Sequence, residues 1–417
     1  MTDRTESLET PRQIGAALLH PAVIVGALGY FVDIYDLVLF GVVRVASLKD
    51  LGFSGDALGF QGTWLINVQM AGMLIGGVLW GLLGDWRGRL SLLFGSIILY
   101  SLANIANGFV HDLDSYTACR FIAGLGLAGE LGGGITLVSE ILPRQLRGYG
   151  TMMVSAIGVL GAVVAGIVGH WFDWRIMYFI GGFLGLVLLF LRVMVSESGL
   201  YKTMAGTNRP TFASQLLLLA APKRLGRYIC CILIGLPCWY VIGLVIFFSP
   251  EFGKALGVTG PVAAATAFAW TYGGICVGDL ASNLLCQYVR ARKSILLGFI
   301  IATFVLVNAF FLQSHLSLNA LYALAFILGI SVGYWSVFVT VAAEHFGTNV
   351  RATVATTVPN FTRGAVIPIT GLYLLFKPHF GPVFGGLAVG WIAIALAFIG
   401  VAGLRETFND DLDYLEH

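Results

Sequence analysis

Long apolar runs alternate with short polar breaks along almost the whole chain. A helix needs about 20 mostly apolar residues to cross a bilayer, and there it satisfies its own backbone groups. The pattern predicts six such helices near 21–46, 60–83, 90–109, 115–138, 150–169 and 175–195. Six more follow near 227–248, 261–288, 294–312, 318–343, 352–376 and 383–404. The expected organisation is all-α: a tail over 1–20, a six-helix bundle over 21–195, a linker over 196–224, a second bundle over 225–404 and a tail over 405–417.

Basic residues fall on alternate loops. One side collects Arg87 and Arg89, Arg144 and Arg147, the linker cations, Arg290, Arg292 and Lys293, and Arg351, whereas the other holds little beyond Lys49, Arg175, Lys254 and Lys377. By the positive-inside rule both tails are cytoplasmic. The halves also repeat: Glu140 and Arg147 close the fourth span seven apart, as Glu344 and Arg351 close the tenth. The Gly81–Gly95 loop is echoed, with one extra residue, by Asn283–Gly298. Paired six-helix repeats around a midplane site are a common plan for secondary transporters.

Composition agrees and narrows the field. The chain is 58% hydrophobic and 11% charged, against about 25% charged for soluble domains. Its 54 glycines suit closely packed helices in lipid. A net charge of +2 indicates no polyanionic partner, so no nucleic acid is expected. Six cysteines lie in apolar segments without metal-ligand spacing and read as buried hydrophobes. Residues 1–20 are polar and of mixed charge, unlike the basic start of a cleaved signal peptide. No G-K-[ST] phosphate loop, catalytic triad or metal set is present, so neither cofactor nor enzymatic activity is expected.

Gly81-Leu-Leu-Gly-Asp85-Trp-Arg87-Gly-Arg89 resembles the loop between the second and third spans of the major facilitator superfamily, with Trp86 and Leu90 where that pattern prefers basic residues. The resemblance implies that Asp85, Arg87, Arg89, Glu140, Arg147, Glu344 and Arg351 form a conformational lock on the inner face. Asp33-Ile-Tyr35-Asp36 and Phe40-Gly41 resemble the first-span motifs of metabolite:proton and aromatic-acid:proton symporters. Arg120 through Gly124 and Gly129 to Glu130 is similar to the fourth-span motif of the metabolite symporters. Arg363 is similar to the eleventh-span arginine of the organic-anion and aromatic-acid branches, and Arg405-Glu406-Thr407 resembles a P-E-T found after the last span.

Ionisable side chains inside spans cost at least ~2.5–3.5 kcal/mol on insertion scales and usually face a cavity or a partner. Asp33, Asp36, Arg120, Glu130 and Arg363 stand out on this ground. Asp33 and Asp36, three apart, share a helix face one turn apart. Two carboxylates in low dielectric resist joint ionisation, which suits proton coupling. Arg120, which the implied fold places nearby, is expected to neutralise this acidic pair; the alternative is a permanent pair between it and one of the two aspartates. Glu130 lies about 15 Å further along that helix and is either a second proton acceptor or a buried hydrogen-bonded acid. Arg363, beside Asn360 and between Pro359 and Pro368, suits bidentate capture of a carboxylate. Its alternative role is a brace to Asp279. Tyr35, Trp239, Tyr240, Trp270, Tyr272, Tyr334 and Trp335 are the aromatics available to shape a pocket.

These residues suggest a proton-coupled symporter for a small organic acid or zwitterion, monomeric and resident in a bacterial inner membrane. On that reading Asp36 and Arg363 line a hollow between the bundles. A proton-independent facilitator or exchanger, and a sensor that keeps the fold without transport, are the rival readings.

Overall fold

The computed structural model describes residues 15, 19–87, 89–129, 147–195, 212–408 and 415–416. Among them the first half contributes α1 (Pro21–Asp50), α2 (Gly55–Arg87), α3 (Arg89–Asn107), α4 (Leu113–Leu127), α5 (Arg147–Val168) and α6 (Trp174–Val195). A short α7 (Phe212–Leu219), inside the expected linker, leads to α8 (Pro222–Tyr240), which runs into a π-helical stretch (Val241–Ile246) and a small α9 (Ser249–Ala255). Then come α10 (Ala264–Val289), α11 (Lys293–Leu312), α12 (Leu318–Ser331), α13 (Trp335–Glu344), α14 (Thr348–Gly364) and α15 (Val366–Gly403). Gly381, at φ 75°, divides the last of these into the end of the eleventh crossing and the whole of the twelfth. Among the described residues seven stretches are long and apolar enough to cross a membrane, α3 and α5 are shorter apolar helices, and the fourth expected span is described only to Gly129. α8 to α9 match the expected seventh span and α12 plus α13 the tenth.

The internal repeat is written in backbone contacts. In the first half α2 and α4 touch through glycines: a Cβ on Gly72 would meet Phe121 O at 2.3 Å and one on Gly124 would meet Gln69 O at 2.1 Å. In the second half α10 and α12 do the same, Gly274 against Phe326 O (2.0 Å) and Gly329 against Thr271 O (2.1 Å). Close backbone approach replaces the missing hydrophobic drive between helices in lipid. The halves meet along two seams, α5 against α10 and α2 against α14.

The breaks fall elsewhere than proline counting suggests. Pro359 sits inside α14, and Pro368 leaves only a one-residue hitch at Ala365, because its missing N–H frees the Gly364 carbonyl. The real interruptions are the π segment of the seventh span and residues 332–334 of the tenth. All six cysteines are free.

Candidate functional site

Asp33 on α1 and Arg363 on α14 meet across the seam between the halves, Nη2 to Oδ2 at 3.2 Å, and neither side chain has any exposure. The pair is under-bonded. Asp33 Oδ1 and the Nε and Nη1 groups of Arg363 are buried without a hydrogen-bond partner. A guanidinium can hold a carboxylate through two parallel bonds, and here it spends one. The indoles of Trp239 and Trp335 face the guanidinium, with ring centres 5.9 and 6.0 Å away. They pack edge to face with each other at 6.3 Å. Tyr30 and Tyr272 lie within electrostatic reach of both charges.

The two aspartates face different partners, although Asp33 stays within electrostatic reach of Asp36. Three residues turn the helix about 300°, enough to aim Asp33 at the opposite half and Asp36 into its own bundle. There Asp36 lies against Gly181 of α6, whose Cβ would fall 2.3 Å from Oδ1. Both its carboxylate oxygens are buried without a hydrogen-bond partner. Arg120 is in electrostatic range of Asp36 but donates to Asn104 Oδ1 at 2.7 Å and covers the Tyr178 ring at 4.7 Å. The expected neutralisation of both acids by Arg120 is therefore corrected: Asp33 belongs to Arg363 and Asp36 to the Arg120 cluster. The brace from Arg363 to Asp279 is likewise absent. Asp279 accepts from Ser155 Oγ of the other half at 2.7 Å and from the Ser336 N–H at 2.9 Å, at the start of α13.

The hollow expected around Asp36 and Arg363 is closed, with exposures of 1% and 0%. What remains beside the pair is a cavity of about 10 Å³ between the halves, lined by Leu37, Ile66, Met70, Trp239, Ile242 and Phe268 among others. That is room for about one water. The other proposed lining residues scatter. Asn360 donates to Ala128 O at 3.4 Å, and Tyr35 bonds Met177 of α6 rather than facing the seam. Tyr240 and Tyr334 donate to the carbonyls of Gly386 and Ile234. Tyr272 is buried near the pair, and Trp270 is 46% exposed on the outside of the bundle.

At the end that carries both tails, Glu344 pairs with Arg292 at 2.6 Å and accepts from Thr407 at 2.8 Å. Arg351 bonds Phe346 O at 3.2 Å. Arg292 is thus the ion-pair partner of Glu344, and Arg351 lies within electrostatic reach of it. Glu130 and Glu140 lie outside the described residues, as do the side chains of Asp85, Arg87, Arg89 and Arg147.

Glu406 caps α11, accepting from the Arg292 and Lys293 N–H groups at 2.9 and 3.0 Å. Partial burial pushes its proton affinity up, but these donors and the N–H groups of Phe408 and Thr407 outweigh it and hold the carboxyl below its usual value. Such a group stabilises the fold above its unfolded pKa, near 4.3, and loses that contribution as pH falls through the lower folded value. Glu406→Gln is expected to lower the thermal midpoint at pH 7, with the gap to wild type closing below about pH 4. A midpoint difference independent of pH would contradict this role.

The opposite end holds a contact that motif reading passed over. Arg44 of α1, with no exposure, donates from Nη2 to Glu251 Oε2 of α9 at 2.8 Å and to Phe247 O at 2.9 Å, with its Nη1 in ion-pair contact with Oε1 at 2.8 Å. The Phe247 and Phe248 rings cover the guanidinium at 4.6 and 4.9 Å. The signal was available: Arg44 is a cation late in an apolar span.

Two six-helix bundles, closed over a buried charge pair at their seam, define a polytopic membrane transport protein. The chain belongs to the Major Facilitator Superfamily, whose profile matches residues 26–371. It is a transporter and not an enzyme. It is 25% identical to the gentisate transporter of Corynebacterium glutamicum over 93% of this chain and 88% of that one. It is also 25% identical to a probable 4-methylmuconolactone transporter of Cupriavidus pinatubonensis over 91% and 89%. Identity reaches 32% with the niacin transporter NiaP of Acinetobacter baylyi, where the match spans 41% of this chain and only 39% of the relative. The crystal structure of a D-xylose–proton symporter superposes with a TM-score of 0.69 over 93% of this chain and 98% of that one at 16% identity, a likeness of fold alone.

Proposed function

We propose that the protein is a proton-coupled symporter of a small organic anion, working by alternating access. The observation that carries this is the Asp33–Arg363 pair, buried at the seam and holding unused donors. A substrate carboxylate and Asp33 compete for one guanidinium. When Asp33 takes a proton its negative charge disappears, and Arg363 is left to the substrate. The paired neutral and ionic states can then cross the membrane midplane, whereas an unpaired buried cation is costly. Asp36, beside Arg120, is the second proton acceptor in this scheme. Relatives whose names specify gentisate and niacin support an acidic solute.

The basic loops favour tails in the cytoplasm, and the bacterial relatives favour an inner membrane. The unit boundaries at 21–195 and 225–404 follow the same reading.

The test is uptake of labelled gentisate, nicotinate or benzoate into proteoliposomes under an inward proton gradient. Asp33→Asn is expected to leave carboxylate exchange intact while proton-driven accumulation falls at least ~10-fold. Accumulation insensitive to a protonophore in the wild type would select a facilitator or exchanger instead. Proton coupling unchanged in Asp36→Asn would remove that residue from the scheme.

A further inference from the structure

We infer that Trp239 reads the body of the substrate, and that the substrate is a planar aromatic carboxylate bearing a hydrogen-bond acceptor on or in its ring. This rests on the proposal that Arg363 holds the carboxylate.

One indole separates the two features such a ligand needs. Trp239 presents its ring to the Arg363 guanidinium and also lines the cavity between the halves. The anion station and the apolar space are therefore adjacent. The cavity wall is built from aliphatic, thioether and aromatic groups: Leu37, Ile66 and Met70 from one half, Ile242 and Phe268 from the other. Among its lining residues Trp239 alone carries a side-chain N–H or O–H. Trp239 is 4% exposed, and that N–H has no hydrogen-bond partner. An unpaired buried donor is costly, and a site built to bond a substrate group discriminates against analogues that lack it.

The wall chemistry argues against alternatives. A sugar acid would need several polar partners around its hydroxyls, and a dicarboxylate would need a second cation. The cavity lining offers neither. A flat ring suits apolar walls, and the thioether of Met70 adapts to irregular shapes. Because opposite walls belong to opposite halves, a ring entering this space holds α1 and α2 away from α8 and α10. Substrate binding and relative movement of the halves are then one event.

The experiment uses the full chain in detergent, with dissociation constants from calorimetry for nicotinate, 4-hydroxybenzoate, benzoate and cyclohexanecarboxylate. Wild type is expected to bind at least one of the first two ~10-fold tighter than benzoate, and benzoate tighter than the saturated acid. Trp239→Phe keeps the ring and removes the N–H. It is expected to retain benzoate binding and lose the ~10-fold preference. Equal binding of cyclohexanecarboxylate and benzoate by wild type overturns the aromatic assignment, whether or not the variant folds. An undiminished preference in Trp239→Phe overturns the role of the indole. Arg363→Gln separates the two levels. Carboxylate binding that survives it refutes the underlying reading of the site, whereas binding that needs Arg363 but ignores Trp239 refutes this inference alone.

Discussion

Arg363→Met is expected to end carboxylate uptake and to destabilise the protein by about 3–5 kcal/mol, the usual cost of leaving one member of a buried ion pair alone. Asp33 would then sit at the seam without its ion-pair partner, both its oxygens enclosed. The double variant Asp33→Asn/Arg363→Met removes both charges and is expected to recover most of the lost stability, because a neutral amide costs much less to bury. Uptake stays absent in both, since nothing then grips the solute. A double-mutant cycle on thermal midpoints checks the first point and proteoliposome flux the second. Additive midpoint changes would show that the two residues do not interact. Normal uptake in the double variant would show that the pair is only a brace.

Glu251→Gln is expected to unlatch the end remote from the tails. Arg44 and Asp33 are eleven positions apart on α1, three turns and about 16 Å, so they project from nearly the same face. That helix therefore ties itself to the opposite half twice, through Arg363 and through Glu251. The second tie falls where the seventh span has already been loosened. The π-helical stretch ends at Ile246, a turn follows at Phe247 and Phe248, and Arg44 takes the carbonyl of Phe247. Neutralising Glu251 removes the anionic partner while Arg44 keeps its aromatic cover. Hydrogen exchange of amides 41–48 and 247–256 is expected to quicken ~10-fold or more, with exchange around 292–296 unchanged. Unaltered exchange at both outer segments would deny the latch.

The reach of sequence reasoning can be judged from particular residues. Spans were visible because in a bilayer the cost of exposing backbone and charge is local, and it is written in runs of about 20 apolar residues. The internal repeat was visible in spaced Glu and Arg positions, and the structure expresses it in the reciprocal glycine contacts of α2 with α4 and α10 with α12. Asp33, Asp36, Arg120 and Arg363 stood out because charge in an apolar run is expensive wherever it lies. Arg44 carried the same signal and lacked only a motif. Trp239 gained meaning from a cavity that two distant helices make.

The chain alone determined how many helices cross, which end is basic and that Asp33, Asp36, Arg120 and Arg363 are costly charges within spans, since each depends on the residues of a single segment. Only the tertiary structure decided who meets whom: Asp33 with Arg363, Asp36 among Arg120 and its neighbours, Arg44 with Glu251. Partner choice turns on some 60° of helix rotation and on which helices lie across the seam. Those are set by packing between segments hundreds of residues apart, and no local pattern encodes them.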